Sequence, residues 1–406
     1  MANRYRIVAG LDIGTQKIAL VVGERRLVGL EVLGIGTAPS RGVRDGRICD
    51  VEATTKSISV ALSEAELMAG CQINEVWVSV SGDHVRGSNS HGVVGIDNGE
   101  VSGRAVRKVR AAAQAVPLPP DHRVLHVLPR DYVVDTQDGI QDPVGMSGVR
   151  LEVNLHLISI SESVLGNLRK CCHKAGLSVS GVVASSLVSA EAVLEPEEKD
   201  LGVVVVDFGA GTLDVAIYNE GALVHSAVLT CAGDRVTKDL SRCLETTGRD
   251  AEAIKQQHGC ALASLVERNV GVEVAGVGGR EPRIVSRRLV AEIIEARMEE
   301  IFENILEVII RSGYGETISS GVVLTGGATM MQGVSDVAAG IIDLPVRVGE
   351  PVSISGLTDE ISDPSWATAV GLTMGLGATD LAEEPPTGVA ERLLPEWVRK
   401  RMKEFF

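Results

Sequence analysis

Aromatic residues are scarce: three Trp, four Tyr and four Phe make up 3% of 406 residues. Positive charge is short as well, with 39 Lys and Arg against 54 Asp and Glu and a formal net charge of −15. A general nucleic-acid binder carries a basic footprint and stacking aromatics, so no nucleic acid is expected as a partner. No stretch reaches the roughly 18 apolar residues of a membrane span. The start, MANRYRIVAGLDIG, has no apolar run of signal-peptide form. The seven cysteines (Cys49, Cys71, Cys171, Cys172, Cys231, Cys243 and Cys260) are odd in number and never spaced as CxxC. They give neither a disulfide framework nor a zinc site. These absences lead to an expected cytoplasmic chain with reduced thiols.

What is present suits a soluble α/β protein: 45% hydrophobic residues, 23% charged and 45 glycines. The length allows two domains of ordinary size, each with its own core.

One pattern occurs twice. In YRIVAGLDIGTQKIALVVGE a β-rich run ends at Asp12, turns through Gly14 and Thr15, and resumes from Ile18 to Val22. In LGVVVVDFGAGTLDVAIYNEG the run Val203 to Val206 suits a strand buried on both faces. It ends at Asp207, turns through Gly209, Ala210, Gly211 and Thr212, and resumes from Leu213 to Tyr218. A single glycine turn commonly serves only a positive-φ requirement. Two copies about 195 residues apart, opening two comparable halves, point to a duplicated domain whose turns face each other across a cleft.

Such turns suit the phosphates of a nucleotide. Small residues let backbone N–H groups approach the oxygens, and Thr hydroxyls add donors. Asp12 and Asp207 can hold Mg²⁺ through water, since that ion dehydrates reluctantly. Lys17 can add a point charge. The form GxxxxGK[ST] is absent, which excludes a P-loop. A third stretch, SSGVVLTGGATMMQGV, reads as a strand from Val322 to Thr325, the pair Gly326–Gly327 and then a helix. The glycine pair permits close approach of a flat ring such as adenine, with Met330 beside it.

These three elements resemble the two phosphate motifs and the adenosine motif of the actin, Hsp70 and sugar-kinase superfamily. Within it the chain closely resembles the FtsA family of bacterial cell-division proteins over nearly its full length. HVLPRDYVVDTQDGIQDPVGMSGVRLEV, from His126 to Val153, is similar to that family and not to actin, MreB or Hsp70. DAEAIKQQHGCALASL, VEVAGVGGREPR, LTGGATMMQGV and ATAVGL also match.

The resemblance implies an actin-like ATPase fold of two duplicated α/β domains around a nucleotide cleft. Subdomain 1A would comprise residues 1–82, 164–199 and 351–378, and an inserted subdomain 1C would occupy 83–163. Subdomain 2A would comprise 200–245 and 314–350, with 2B at 246–313. The resemblance also implies bound ATP with Mg²⁺ and slow ATP turnover at most, with no catalytic residue singled out. It places the ribose by Glu252 and Lys255, which read alone could simply pair on a helix surface. The implied partners are the C-terminal peptide of FtsZ, a second copy of the chain in a protofilament, and later division proteins. Arg288, Arg297 and Glu300, in RRLVAEIIEARMEEIFENI, are candidate contacts for that peptide; a solvated helix face is the plainer alternative.

Two departures from the family stand out. Ala210 replaces a usual glycine and must avoid strongly positive φ or accept strain. Ala296 replaces a usual proline, so its helix should run straighter.

The tail has its own logic. ATDLAEEPPTGVAE is acidic, holds Pro385 and Pro386, and reads as a flexible linker over 379–391. Over 392–406, at 100° per residue, Leu394, Trp397, Val398, Met402 and Phe405 share one side, with Phe406 at its edge. Arg399, Lys400 and Lys403 take the other side, and Arg401 would snorkel out of the apolar arc. Such a helix suits an anionic bilayer interface. An ordinary helix packed on the body is the alternative, and the family's membrane-targeting helix favours the bilayer. The expected site of action is the cytoplasmic face of the inner membrane, at the division site. Two other classes share parts of this pattern. A small-molecule kinase would need a catalytic base in the cleft, with Glu191 in roughly the right segment. A chaperone would need a large further domain after Gly377.

Overall fold

The computed structural model describes residues 7–26, 29–267 and 269–375. Its two main sheets share one plan. In the first, Ile7–Ile13, Lys17–Arg25 and Leu30–Pro39 form an antiparallel meander. Glu75–Val80 lies parallel beside Ile7–Ile13, and Ser178–Ala184 parallel beside that. In the second, Val203–Phe208, Leu213–Asn219 and Ala222–Leu229 form the meander, with Val322–Thr325 and then Val346–Val348 added in parallel. Ile354–Gly356 extends the first sheet at its other edge. The repeated pattern in the sequence is therefore a repeated topology, meander then parallel pair.

Burial explains the composition of the strands. All six residues of Val203–Phe208 are buried, as expected for a central strand covered on both faces. Two large apolar cores result: one, around Leu11, Leu20 and Ile158, extends onto Val203, Val205 and Ala216 of the second sheet, and the other gathers around Phe208 and Phe302. Phe208 and Phe302 meet edge to face with ring centroids 6.3 Å apart, joining the second sheet to the long helix Arg287–Ser312. That helix begins at the Ser286 cap and runs unbroken through Ala296 to Gly313, which takes the left-handed conformation at its end.

Between Glu75–Val80 and Ser178–Ala184 the chain leaves the first sheet to build a separate unit. Its four strands are ordered Val85–Gly95, Arg150–Ser161, His122–Val134, Gln137–Ile140, and the helix Gly103–Gln114 covers one face. The unit has a core of its own around Leu151, Val153, Leu155 and Val109. All seven cysteines are free thiols, as the spacing implied.

The helix Ala367–Met374, packed on the first sheet, crosses Ser185–Val193, which also reaches the second sheet. A Cβ on Gly371 would lie 1.8 Å from the carbonyl oxygen of Val188, so only glycine allows this crossing. Gly371→Ala is expected to lower unfolding stability by at least about 2 kcal/mol, read as a shift in the urea midpoint at unchanged slope.

Candidate functional site

The two glycine turns are built alike. The N–H of Gly14 donates to Lys17 O at 3.1 Å, and that of Gly209 donates to Thr212 O at 3.0 Å. Each turn joins strands in the same register: Ile13 opposite Ile18, and Phe208 opposite Leu213. They also face each other closely, since a Cβ on Gly211 would come within 2.4 Å of Thr15 Oγ1. Ala210 does not adopt positive φ, so this turn accommodates it without the strain its departure from glycine raised.

All fourteen residues singled out above for a nucleotide line one cavity of about 670 Å³ between the halves: Asp12, Gly14, Thr15, Lys17, Asp207, Gly209 to Thr212, Glu252, Lys255, Gly326, Gly327 and Met330. Gly326 is required there by its φ of 89° and by Asp207 Oδ1, which would lie 2.5 Å from a Cβ. The helix expected directly after the pair is delayed. A 3₁₀ turn, Gly327–Met330, comes first, and the α-helix starts only at Val334 after a left-handed Gly333. Thr329 Oγ1 holds the turn by donating to Gly326 O at 2.7 Å.

Glu252 and Lys255 do pair, at 2.7 Å, but against the cavity wall and not out in solvent. Lys255 Nζ also donates to Thr237 Oγ1 at 2.8 Å and Gly233 O at 3.2 Å, anchoring the helix Gly233–Cys243. Lys17 is anchored on the other wall, with Nζ 2.9 Å from Ser365 Oγ and 4.3 Å from the centre of the Trp366 ring. Burial lowers its pKa.

At the floor the carboxylates gather. Ser79 Oγ donates to Asp12 Oδ1 at 2.6 Å, and Thr368 Oγ1 to Asp207 Oδ2 at 2.6 Å. A third acid, Asp214, sits opposite Asp207 in the strand pair and accepts from Ser81 Oγ. Its Oδ1 is buried without a partner. Burial raises the pKa of all three, Asp207 to about 6 and Asp214 well above the usual carboxylate range, and repulsion among the carboxylates adds to the shift of these two. Asp214 was missed in the sequence. Its signal was the strand register, which pairs Asp207 with position 214 as it pairs Asp12 with Ala19.

The remaining candidates lie elsewhere. Arg297 is held by Asp239 and Glu300, each at 2.5 Å, and Arg288 by Glu292 at 3.1 Å. Glu191 lies off the cavity and pairs with Lys199 at 2.7 Å. Leu394, Trp397, Val398, Arg399, Lys400, Arg401, Met402, Lys403, Phe405 and Phe406 fall outside the described residues. No helix among the described residues is long and apolar enough to cross a membrane.

Two sheets of one topology, closing on a cavity lined by matching glycine turns, define an actin-like fold. It is shared with the PilM-PilN type IV pilus biogenesis complex at TM-score 0.66 and 16% identity, over 90% of this chain and 97% of that one. MreB5 of Spiroplasma citri bound to ADP aligns at TM-score 0.56 and 14% identity, over 90% and 94%. The chain belongs to the FtsA family. The model for Cell division protein FtsA matches residues 204–371, and that for the SHS2 domain inserted in FTSA matches 82–159. The Cell division protein FtsA of Pseudomonas aeruginosa is 44% identical over 408 aligned positions, spanning 97% of this chain and 98% of that protein. That of Escherichia coli is 42% identical over 379, spanning 91% and 90%.

The raised pKa of Asp207 has a stability consequence. Between about 4 and 6 the folded chain holds a proton there that the unfolded chain has released, so this group favours folding at low pH and opposes it as pH rises to 6. Asp207→Asn keeps an acceptor for Thr368 and removes the buried charge. It is expected to raise unfolding stability at pH 7 by about 2 kcal/mol, with the gain vanishing near pH 4 in paired urea titrations.

Proposed function

We propose that the chain binds Mg-ATP in this cleft and works as an actin-like adaptor that anchors the FtsZ ring to the cytoplasmic membrane. On this reading it self-associates into protofilaments, helps recruit later division proteins, and sits on the cytoplasmic face of the inner membrane at the division site. The observation that carries the reading is the cavity itself, where two glycine turns face each other beside three clustered carboxylates in a chain of the FtsA family. Turn N–H groups and Thr hydroxyls would take the phosphates. Glu252 and Lys255 would hold the ribose, and Gly326, Gly327 and Met330 the adenine.

The donor set fits a magnesium ion. The mutually repelling Asp207 and Asp214, with Asp214 Oδ1 unpartnered, call for positive charge at the floor. Among the described residues no three acidic, His or Cys side chains converge as a direct ligand set. Asp12 and Asp207 would therefore act through water, which suits Mg²⁺. Bound magnesium would neutralise phosphate and carboxylate charge together. The Asp residues would orient its waters, and the turns would fix the phosphates. FtsZ contact through Arg288, Arg297 and Glu300 belongs to the same reading, with Arg297 first having to loosen its pair with Asp239.

Asp12→Ala or Asp207→Ala should weaken Mg-ATP binding by about tenfold or more in calorimetry. Unchanged affinity in both would remove the floor from the site. Anchoring is tested by co-sedimentation with anionic vesicles, using the full chain and one ending at Glu391, each with and without Mg-ATP. Binding that needs residues 392–406 and strengthens with Mg-ATP supports a membrane foot multiplied by polymerisation. Both versions staying in the supernatant would overturn the anchoring.

A further inference from the structure

The inserted unit is joined by the chain to the first domain alone, yet its buried polar contacts reach the second. His156 stands on its strand Arg150–Ser161 and is 1% exposed. Asn89 Nδ2 donates to Val224 O at 3.1 Å, which leaves Asn89 Oδ1 to accept from His156 Nδ1 at 2.6 Å. His156 Nε2 then accepts from Ser226 Oγ at 2.8 Å. Both ring nitrogens are satisfied by a neutral imidazole, in keeping with a pKa that burial lowers to about 3. Arg130 adds a second tie, donating to the hydroxyl of Tyr314 and lying 5.4 Å from the centre of its ring. Between the ties the backbones touch. A Cβ on Gly87 would come within 2.5 Å of Ser226 O.

The strand that receives these contacts, Ala222–Leu229, leads straight to the cavity. Two residues beyond Ser226, Val228 pairs with Asp214 at the floor. Seven residues beyond it, Gly233 opens the helix whose N–H groups meet the second turn, at Gly209 O (3.2 Å) and Ala210 O (2.7 Å). Sliding the insertion along this strand would break the bonds of His156 Nε2 to Ser226 and of Asn89 to Val224 and leave buried acceptors unpaired, so the joint moves as one piece. Movement must instead be taken up on the first domain's side, at the apolar contact of Leu125, Leu128, Ile158 and Ile160 with that domain's core and at the chain crossing, where Gly82 has a φ of 135° open to glycine.

We propose that the insertion reads the state of the cleft: the Asn89–His156–Ser226 joint carries it with the second domain, so nucleotide at the floor and the insertion's placement on the first domain form one coupled equilibrium. This goes beyond the nucleotide reading and rests on it. By linkage, whatever binds the insertion in one placement changes nucleotide affinity by the same factor that nucleotide changes its own.

Hydrogen exchange on the full chain, with and without Mg-AMPPNP, tests it. In the native chain nucleotide is expected to slow exchange over residues 85–95 by about tenfold, alongside the turn at 207–212. Ser226→Ala should cut the effect over 85–95 to about twofold or less while the turn stays protected. Asn89→Ala, which loosens the same ring from an exposed position, serves as the second variant. Protection of the turn with no change over 85–95 would overturn the coupling and leave the nucleotide site standing. So would variants that keep the full native difference. Protection at neither segment would overturn both.

Discussion

Three carboxylates gathered in the seam between two sheets set the terms for this molecule. Asp12, half-buried, belongs to the first sheet, and Asp207 and Asp214, both buried, to the second. Two of their hydrogen bonds cross from one half to the other. Thr368 and Ser81, from the first, donate to Asp207 and Asp214 of the second. The acids are therefore both a source of repulsion and the polar ties that close the floor. An acid held near neutrality by burial is costly to ionise, and a cation bound there lowers that cost directly. Ligand binding and closure of the halves thus share the same atoms, which is the minimum a ligand needs to shift a conformational equilibrium.

Duplication explains why such a floor can be built at all. Two copies of one hairpin, each ending in an acid and a four-residue turn, meet face to face because the surrounding sheets repeat. The copies are not equivalent. Where the first hairpin returns with Ala19, the second returns with Asp214, so the charge leans toward the second half. Gly211 then lets the second turn close on Thr15, a contact any side chain would block. Small residues on one side and extra charge on the other make a single site from two similar halves.

Much of this was legible in the sequence because it is local. A strand, an acid and a glycine turn are written consecutively, and so is the valine run of a central strand. Position 214 was harder: its role depends on which residue faces Asp207 across the hairpin, a matter of register more than of motif. Glu252 and Lys255 show the other limit, since spacing alone gives the pair and says nothing of which way its helix faces. The late start of the helix after Gly326–Gly327 was set by a backbone pair, Gly326 and Gly333, whose positive φ values bracket a short 3₁₀ turn. The contact between the insertion and the second domain had no sequence signal. His156, Asn89 and Ser226 lie far apart in the chain, and no periodicity marks one as the partner of another.

That last contact changes how the architecture should be understood. A two-domain cleft with a unit attached to one lobe would leave the unit as cargo, free to vary its placement without touching the ligand site. Here the attachment to the first domain is covalent and apolar, through Leu125, Leu128, Ile158 and Ile160 in its core, while the attachment to the second is polar and joins the strand next to the one carrying Asp214. Apolar packing would tolerate sliding, because one methyl contact replaces another at little cost. A neutral imidazole with both nitrogens committed does not, because each bond has one geometry and losing it strands a buried group. The same logic runs through the floor of the cleft, where hydroxyl–carboxylate bonds span the halves. Apolar packing fills each unit and continues across their boundaries, and the directional bonds between units set the register in which the pieces stand on one another.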